Sequence, residues 1–294
     1  MNSEIELVLD TKSALGEGAI WNHKTQKLYW INITGKTLNI YNPAVEINKE
    51  LMTGQIIGTV VPSESGNVIV ALQNGIYYLD VETGTKNFIV DPESDFQENR
   101  FNDGKCDPFG RLWVGTMKID ATGNNGALYK IDAKGFATKM IDKVSISNGI
   151  VWSNDHTKMF YIDTPTQKVM RYDFNNKTGE ISNGKVAIEI PKDTGSPDGM
   201  TIDEDGNLWI ALWGGYAVGC WNPETGELIH KIKVPAKNVT SVAFGDSDLM
   251  TLYITTARQG MTDEELKQYP FSGGVFKIRT GTKGVPANFF KGDF

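Results

Sequence analysis

The sequence predicts an all-β chain, specifically a six-bladed β-propeller. Three observations predict it: an apolar-aromatic triplet that recurs six times, polar turn signals ahead of most copies, and little helical periodicity. The triplets are Leu28-Tyr29-Trp30, Val68-Ile69-Val70, Leu112-Trp113-Val114, Met159-Phe160-Tyr161, Leu208-Trp209-Ile210 and Leu252-Tyr253-Ile254. Their centres lie 40, 44, 47, 49 and 44 residues apart, the length of one four-stranded blade.

Each element of the repeat has its own sequence reason. Hairpin signals precede the triplets at Asn22–Lys27, Glu64–Asn67, Asp107–Arg111, Asn154–Lys158 and Asp203–Asn207, with Gly66, Gly110 and Gly206 where a tight turn needs positive φ. A further short strand follows each triplet, as in the stretches from Gly75 to Asp80 and from Gly126 to Asp132. Asn42-Pro43, Thr83-Gly84, Thr178-Gly179 and Asn222-Pro223 then punctuate the chain. One helical turn is expected at Thr262–Tyr269, where Thr262 and Glu265 have capping-box spacing. The sixth copy supplies strands near Ser241–Phe244, Leu252–Thr256 and Gly274–Ile278, one short of four. The alternating segment Ile5–Leu9 is expected to complete that last blade and close the ring, removing an open edge. No linker or shift in composition divides the chain, so residues 1–294 are expected to form a single domain.

Composition narrows the function. A net charge of −7 argues against nucleic-acid binding, which needs a basic footprint to neutralise phosphates. No apolar run reaches the roughly 18–20 residues of a membrane span. The opening MNSEIELVLD is acidic and has no basic region followed by an apolar stretch, so a cytoplasmic protein is expected. Two cysteines, Cys106 and Cys220, make no disulfide framework, and Cys106, directly after Lys105 on a core strand, is expected to be a buried thiol. His23 and His156 fall in turns and His230 on a strand, and none is assigned to catalysis.

The candidate chemistry comes from register. Propeller blades present their first strands to a central channel, so residues equivalent in different blades converge there. Glu17-Gly18 and Asn148-Gly149 lie 12 residues before their triplet centres, Asp198-Gly199 lies 11 before, and Asn102-Asp103-Gly104 lies 10 to 11 before. The second and sixth copies carry Thr59 and Thr240 or Ser241 there instead. Asp-Gly and Asn-Gly are common turn dipeptides, and Asp205-Gly206 and Asn74-Gly75 read that way. A shared register before an apolar strand sets Glu17, Asn148 and Asp198 apart. Carboxylates gathered without a counter-charge repel, and a divalent cation relieves the repulsion. Hard oxygen donors favour calcium, magnesium or manganese, and zinc remains open.

The segments Leu15-Gly-Glu-Gly-Ala-Ile-Trp21, Arg100-Phe-Asn-Asp-Gly-Lys105, Leu112-Trp-Val-Gly-Thr-Met117, Ser147-Asn-Gly-Ile-Val-Trp152 and Ser196-Pro-Asp-Gly-Met200 resemble the signature segments of one family. It is the SMP-30/gluconolactonase/luciferin-regenerating-enzyme family, which includes regucalcin, and the resemblance runs in order from about residue 15 to 280. The resemblance implies a six-bladed propeller that hydrolyses a small-molecule sugar lactone with one divalent metal ion. Calcium is the first choice, with zinc, magnesium or manganese as alternatives. By the same resemblance Glu17, Asn148 and Asp198 are the metal ligands, with Asp198 also the proton acceptor or donor. Arg100 and Asn102 hold substrate oxygens, and Asp120 stands where the family commonly has a glutamate contact. A monomer or weak dimer is expected. The alternative is a non-catalytic calcium-binding or regulatory propeller. Hydrolysis of an organophosphate or aryl ester at the same centre would be a side activity.

Overall fold

The computed structural model describes residues 4–292, and the strands among them fall into six antiparallel sheets of four. The inner strands are Gly16–Asn22, Ile57–Pro62, Asn99–Cys106, Ser147–Trp152, Ser196–Ile202 and Asn238–Gly245. Their partners are Lys27–Asn32, Val68–Leu72, Leu112–Lys118, Lys158–Asp163, Leu208–Trp213 and Thr251–Ala257, each holding one of the six triplets. Every inner strand packs against the inner strands of both neighbouring blades, the sixth against the first, so the sheets form a closed ring about a channel.

Burial follows distance from the channel. The inner strands of blades 1, 2, 4 and 6 are buried at every position, whereas outermost strands such as Leu228–Lys233 are mostly exposed. Inner and second strands have both faces covered by adjacent blades, which is why they read as apolar runs instead of alternating. Trp30, Trp113, Trp209 and Tyr253, all from triplets, are among the largest fully buried side chains. A buried indole N–H usually finds an acceptor. Asp107 Oδ2 accepts from Trp113 Nε1 at 2.9 Å and Asp203 Oδ2 from Trp209 Nε1 at 2.9 Å, while Asp246 Oδ1 accepts from the Tyr253 hydroxyl at 2.8 Å. One aspartate at the end of the first hairpin arm therefore serves the aromatic of the second strand in three blades. Asp107 also accepts from Arg111 Nε at 2.6 Å, with both groups almost wholly buried.

The ring closes as expected. Strand Glu6–Leu9 pairs antiparallel with Val275–Arg279, Leu7 opposite Phe276, and so becomes the fourth strand of the last sheet. The turn glycines Gly66, Gly110 and Gly206 have φ of 95°, 94° and 84°. The short helix Asp263–Gln268 starts with both hydrogen bonds of the Thr262/Glu265 capping box. Cys106 and Cys220 are free and buried. Among the described residues no helix is long and apolar enough to cross a membrane.

Candidate metal centre and active site

Each inner strand carries one extra residue relative to its partner, at the same height in all six blades. The irregularities fall between Glu17 and Ile20, Ile57 and Thr59, Phe101 and Gly104, Asn148 and Ile150, Pro197 and Met200, and Val239 and Ser241. A bulge of this kind bends the strand and re-aims a side chain. It also releases a backbone N–H from the ladder. Gly18 N–H donates to Glu17 Oε2 at 2.6 Å and Gly104 N–H to Asp103 Oδ1 at 2.8 Å, and the Gly199 N–H serves Asp198 in the same way. Glycine is required here by space: a Cβ on Gly149 would lie 2.7 Å from the Asp198 carbonyl oxygen, and one on Gly199 would lie 2.7 Å from Ser241 Cβ. The acid-glycine pairs of the sequence are thus one bulge repeated around the ring.

In blades 2 and 6 the same height is filled by hydroxyls that tie one blade to the next. Thr59 Oγ1 donates to the Gly104 carbonyl at 3.0 Å and Thr240 Oγ1 to the Gly16 carbonyl at 2.6 Å, while Ser241 Oγ accepts from Ala19 N–H at 2.8 Å.

The convergence brings Glu17 and Asp198 within hydrogen-bonding reach of one another, both buried. Burial and then the neighbouring Asp103 carboxylate raise Glu17 from the ordinary 4.5 to about 7. Burial and then Glu17 push Asp198 well above the carboxylate range. Asp103, also enclosed, is raised by burial. Arg100 faces the first two carboxylates; burial lowers its guanidinium to about 10 against the pull of Glu17 and Asp198.

A hydrogen-bond chain fixes the amides. Asn148 Nδ2 donates to Thr164 Oγ1 at 2.8 Å, and Thr164 Oγ1 donates to the Pro197 carbonyl at 2.8 Å, linking blade 4 to blade 5. With the nitrogen committed there, Asn148 presents its oxygen on the other side, where Asn102 Nδ2 reaches it at 3.2 Å. Asn102 Nδ2 also donates to the Ser147 carbonyl at 2.6 Å, and Asn102 Oδ1 accepts from Arg100 Nη1 at 2.7 Å. Arg100 Nη1 further reaches the Phe101 carbonyl at 2.9 Å.

Five of the six candidates therefore stand together: Glu17, Arg100, Asn102, Asn148 and Asp198. Asp120 does not join their contacts. It sits on an exposed turn, where its Oδ1 accepts from Thr122 N–H at 3.0 Å and Thr122 Oγ1 at 2.7 Å, with Lys118 Nζ 3.5 Å from Oδ2. Those Thr122 bonds hold its carboxyl below the usual range. Among the described residues no group of three or more His, Cys, Asp or Glu is arranged to hold a metal. The set in question has two carboxylates and a carboxamide. Its donor chemistry suits a hard cation: three oxygens, two of them on buried carboxylates whose mutual repulsion is not fully offset.

Residues 15–258 match the family described as the SMP-30/Gluconolactonase/LRE-like region. The chain belongs to this family. It is 38% identical over 287 residues to "Putative sugar lactone lactonase YvrE" of Bacillus subtilis, covering 98% of each chain. It is 34% identical to regucalcin of Danio rerio, covering 98% of this chain and 99% of the other. Among solved structures it is similar to a calcium-binding protein, regucalcin, of Agrobacterium tumefaciens, with 29% identity, a TM-score of 0.94 and 98% of each chain covered.

Two neighbours of these residues went unassigned in the sequence. Lys105 is enclosed beside Asp103 and Glu17 and donates to the Met200 carbonyl, spanning the channel from blade 3 to blade 5. Its place directly after Asp103-Gly104 was the available signal, but a lysine after a bulge does not announce which way it points. Thr164 orients Asn148 from the end of the neighbouring strand, and only the pairing of Asp163 opposite Ser147 brings it there.

Proposed function

We propose that the protein is a metal-dependent hydrolase of a small sugar lactone, acting at the channel mouth of a single propeller domain. The observation that carries this reading is the buried pair of Glu17 and Asp198, elevated in pKa, beside an oriented Asn148 oxygen and facing the Arg100 guanidinium. A metal store needs the oxygens alone; the guanidinium and a proton-accepting carboxylate suit a reaction. The family membership and a relative named as a sugar lactone lactonase support the same class.

Glu17, Asn148 and Asp198 would hold the cation, calcium being the first choice. When bound, a divalent ion supplies Lewis acidity toward a carbonyl oxygen and relieves the repulsion between the carboxylates. The rest falls to the chain's own groups. Asp198 accepts a proton from the water that adds to the lactone carbonyl carbon, and general-base help of this kind contributes about 10²–10⁴-fold. The ring C–O bond then breaks, and the leaving alkoxide takes up a proton, giving the open hydroxy acid. Arg100 has donors beyond those spent on Asn102 and Phe101, and these bind substrate oxygens. Asn102, whose amide is engaged at both ends, holds Arg100 and Asn148 in place and offers its remaining acceptor capacity to the substrate. Asp120 could reach a substrate only by leaving its contacts with Thr122 and Lys118.

The test is proton release from a panel of δ- and γ-sugar lactones by metal-stripped protein, repeated with calcium, zinc, magnesium or manganese restored. Hydrolysis that returns with metal is expected. Metal binding without hydrolysis of any lactone would instead favour a non-catalytic calcium-binding propeller, the reading suggested by the Agrobacterium neighbour's description as calcium-binding.

A further inference from the structure

The inner strands begin at the candidate site and end in a different place. Their far ends, with Trp21, Cys106, Trp152 and Ile202, line a cavity of about 380 Å³ at the opposite mouth of the channel. None of Glu17, Arg100, Asn148 or Asp198 lines it. That volume is within the roughly 300–1,000 Å³ of small-molecule pockets.

The C-terminal segment builds one wall. Gly284 N–H donates to the Leu249 carbonyl at 2.8 Å, the Lys283 carbonyl accepts from Glu204 N–H at 2.8 Å, and Asn288 Nδ2 donates to the Cys106 carbonyl at 3.2 Å. Further on, Phe290 N–H donates to the Pro62 carbonyl at 2.9 Å. The segment is thus stitched across blades 6, 5, 3 and 2, which holds this wall of the cavity in place.

Its chemistry is one-sided. Ile20, Val151, Ile202, Val242 and Val285 make the walls apolar. Trp21 and Trp152 both line it, are only 2% and 6% exposed, and carry indole N–H groups with no acceptor. Other buried tryptophans in this protein, Trp113 and Trp209, do have aspartate acceptors, so the two orphans are exceptions to a device used elsewhere in the ring. Lys283 lines the cavity and makes no ion pair among the described residues, and the sole carboxylate among the lining residues is Glu204. Lys105, surrounded by protein, keeps accessible surface, and it too lines this cavity. Two lysines and one glutamate stand around an apolar space.

We infer that this cavity is a second binding site, for a small, largely apolar carboxylate, with Lys283 as counter-charge and Trp21 and Trp152 in its apolar wall. Such a ligand sets its apolar body against these walls and brings the anion that Lys283 lacks. Glu17, Arg100, Asn148 and Asp198 lie outside it, and Lys105 is its link with the candidate site.

The probe is 2-naphthoate, with the neutral isostere 2-naphthamide as control, titrated into the full-length ¹⁵N-labelled protein. Indole Nε1–H resonances are read, those of Trp21 and Trp152 being assigned from Trp21→Phe and Trp152→Phe. Saturable one-to-one binding that moves both resonances is expected, with Lys283→Met weakening naphthoate about fivefold and leaving naphthamide unchanged. Ala287→Trp, which fills the space from the C-terminal wall, should abolish both. Should that variant not fold, the Lys283→Met comparison decides. The inference is overturned if naphthoate shows no saturable shift, if Lys283→Met leaves its affinity unchanged, or if a sugar lactone displaces it competitively.

Discussion

Metal-free protein should lose stability as pH rises, and Glu17 sets the size of the loss. The perturbation is removal of divalent metal, followed by thermal unfolding at points between about pH 5 and about pH 8. In the folded chain Glu17 is raised to about 7, against the ordinary 4.5 that it regains on unfolding. Between those values the folded state binds the extra proton, so unfolding free energy falls as pH increases: stability is full below the unfolded value and lost as pH passes through the folded one. At 1.36 kcal/mol per pK unit the loss is on the order of 3 kcal/mol, or about 5 °C in Tm for a chain of this size. Asp198 and Asp103, also raised, act in the same direction. His23, lowered by burial, acts in the opposite one. The difference between wild type and Glu17→Gln therefore isolates the contribution, because the amide cannot titrate. Restoring calcium should recover the high-pH loss and bind more tightly as pH rises toward 7, where the proton no longer competes. Parallel Tm–pH curves for metal-free wild type and Glu17→Gln would refute the argument.

Asp198→Asn should lower kcat for any lactone turned over by about 10²–10⁴-fold; metal content measured on the same sample separates lost proton transfer from lost metal. Asp107→Ala should destabilise by about 3–5 kcal/mol in chemical denaturation, because it strands the buried Arg111 guanidinium and the Trp113 indole together. Asp120→Glu should alter the ratio of kcat/KM across the lactone panel with little change in Tm, and an unaltered ratio removes Asp120 from the substrate pocket. Deleting residues 1–10 should expose the Val275–Arg279 edge, lowering Tm and promoting association visible by light scattering.

Much of the site was legible because the bulge is periodic. A side chain aimed at the channel, a glycine where neighbouring backbone crowds in, and an apolar strand recur in one register, so Glu17, Asn148 and Asp198 stood out before any contact was known. Asp120 shows where that logic ends. It follows the second strand on a turn whose length and hydrogen bonds are its own, and its Thr122 and Lys118 contacts hold it away from the cluster. Thr59, Thr240 and Ser241 share the register without a carboxylate, and their hydroxyls join blades.

The sequence by itself determined the architecture: six triplets at blade spacing, turn glycines, and a first strand left over for a last blade that lacked one. These are local patterns, set by pleat, turn and length, and a linear reading recovers them. Only the tertiary structure decided the burial that raises Glu17 and Asp198, the strut that Lys105 makes to Met200, and the cavity walled by residues 283–288. Each depends on groups remote in the chain sharing a space from which water is excluded, and no periodicity records how near they come.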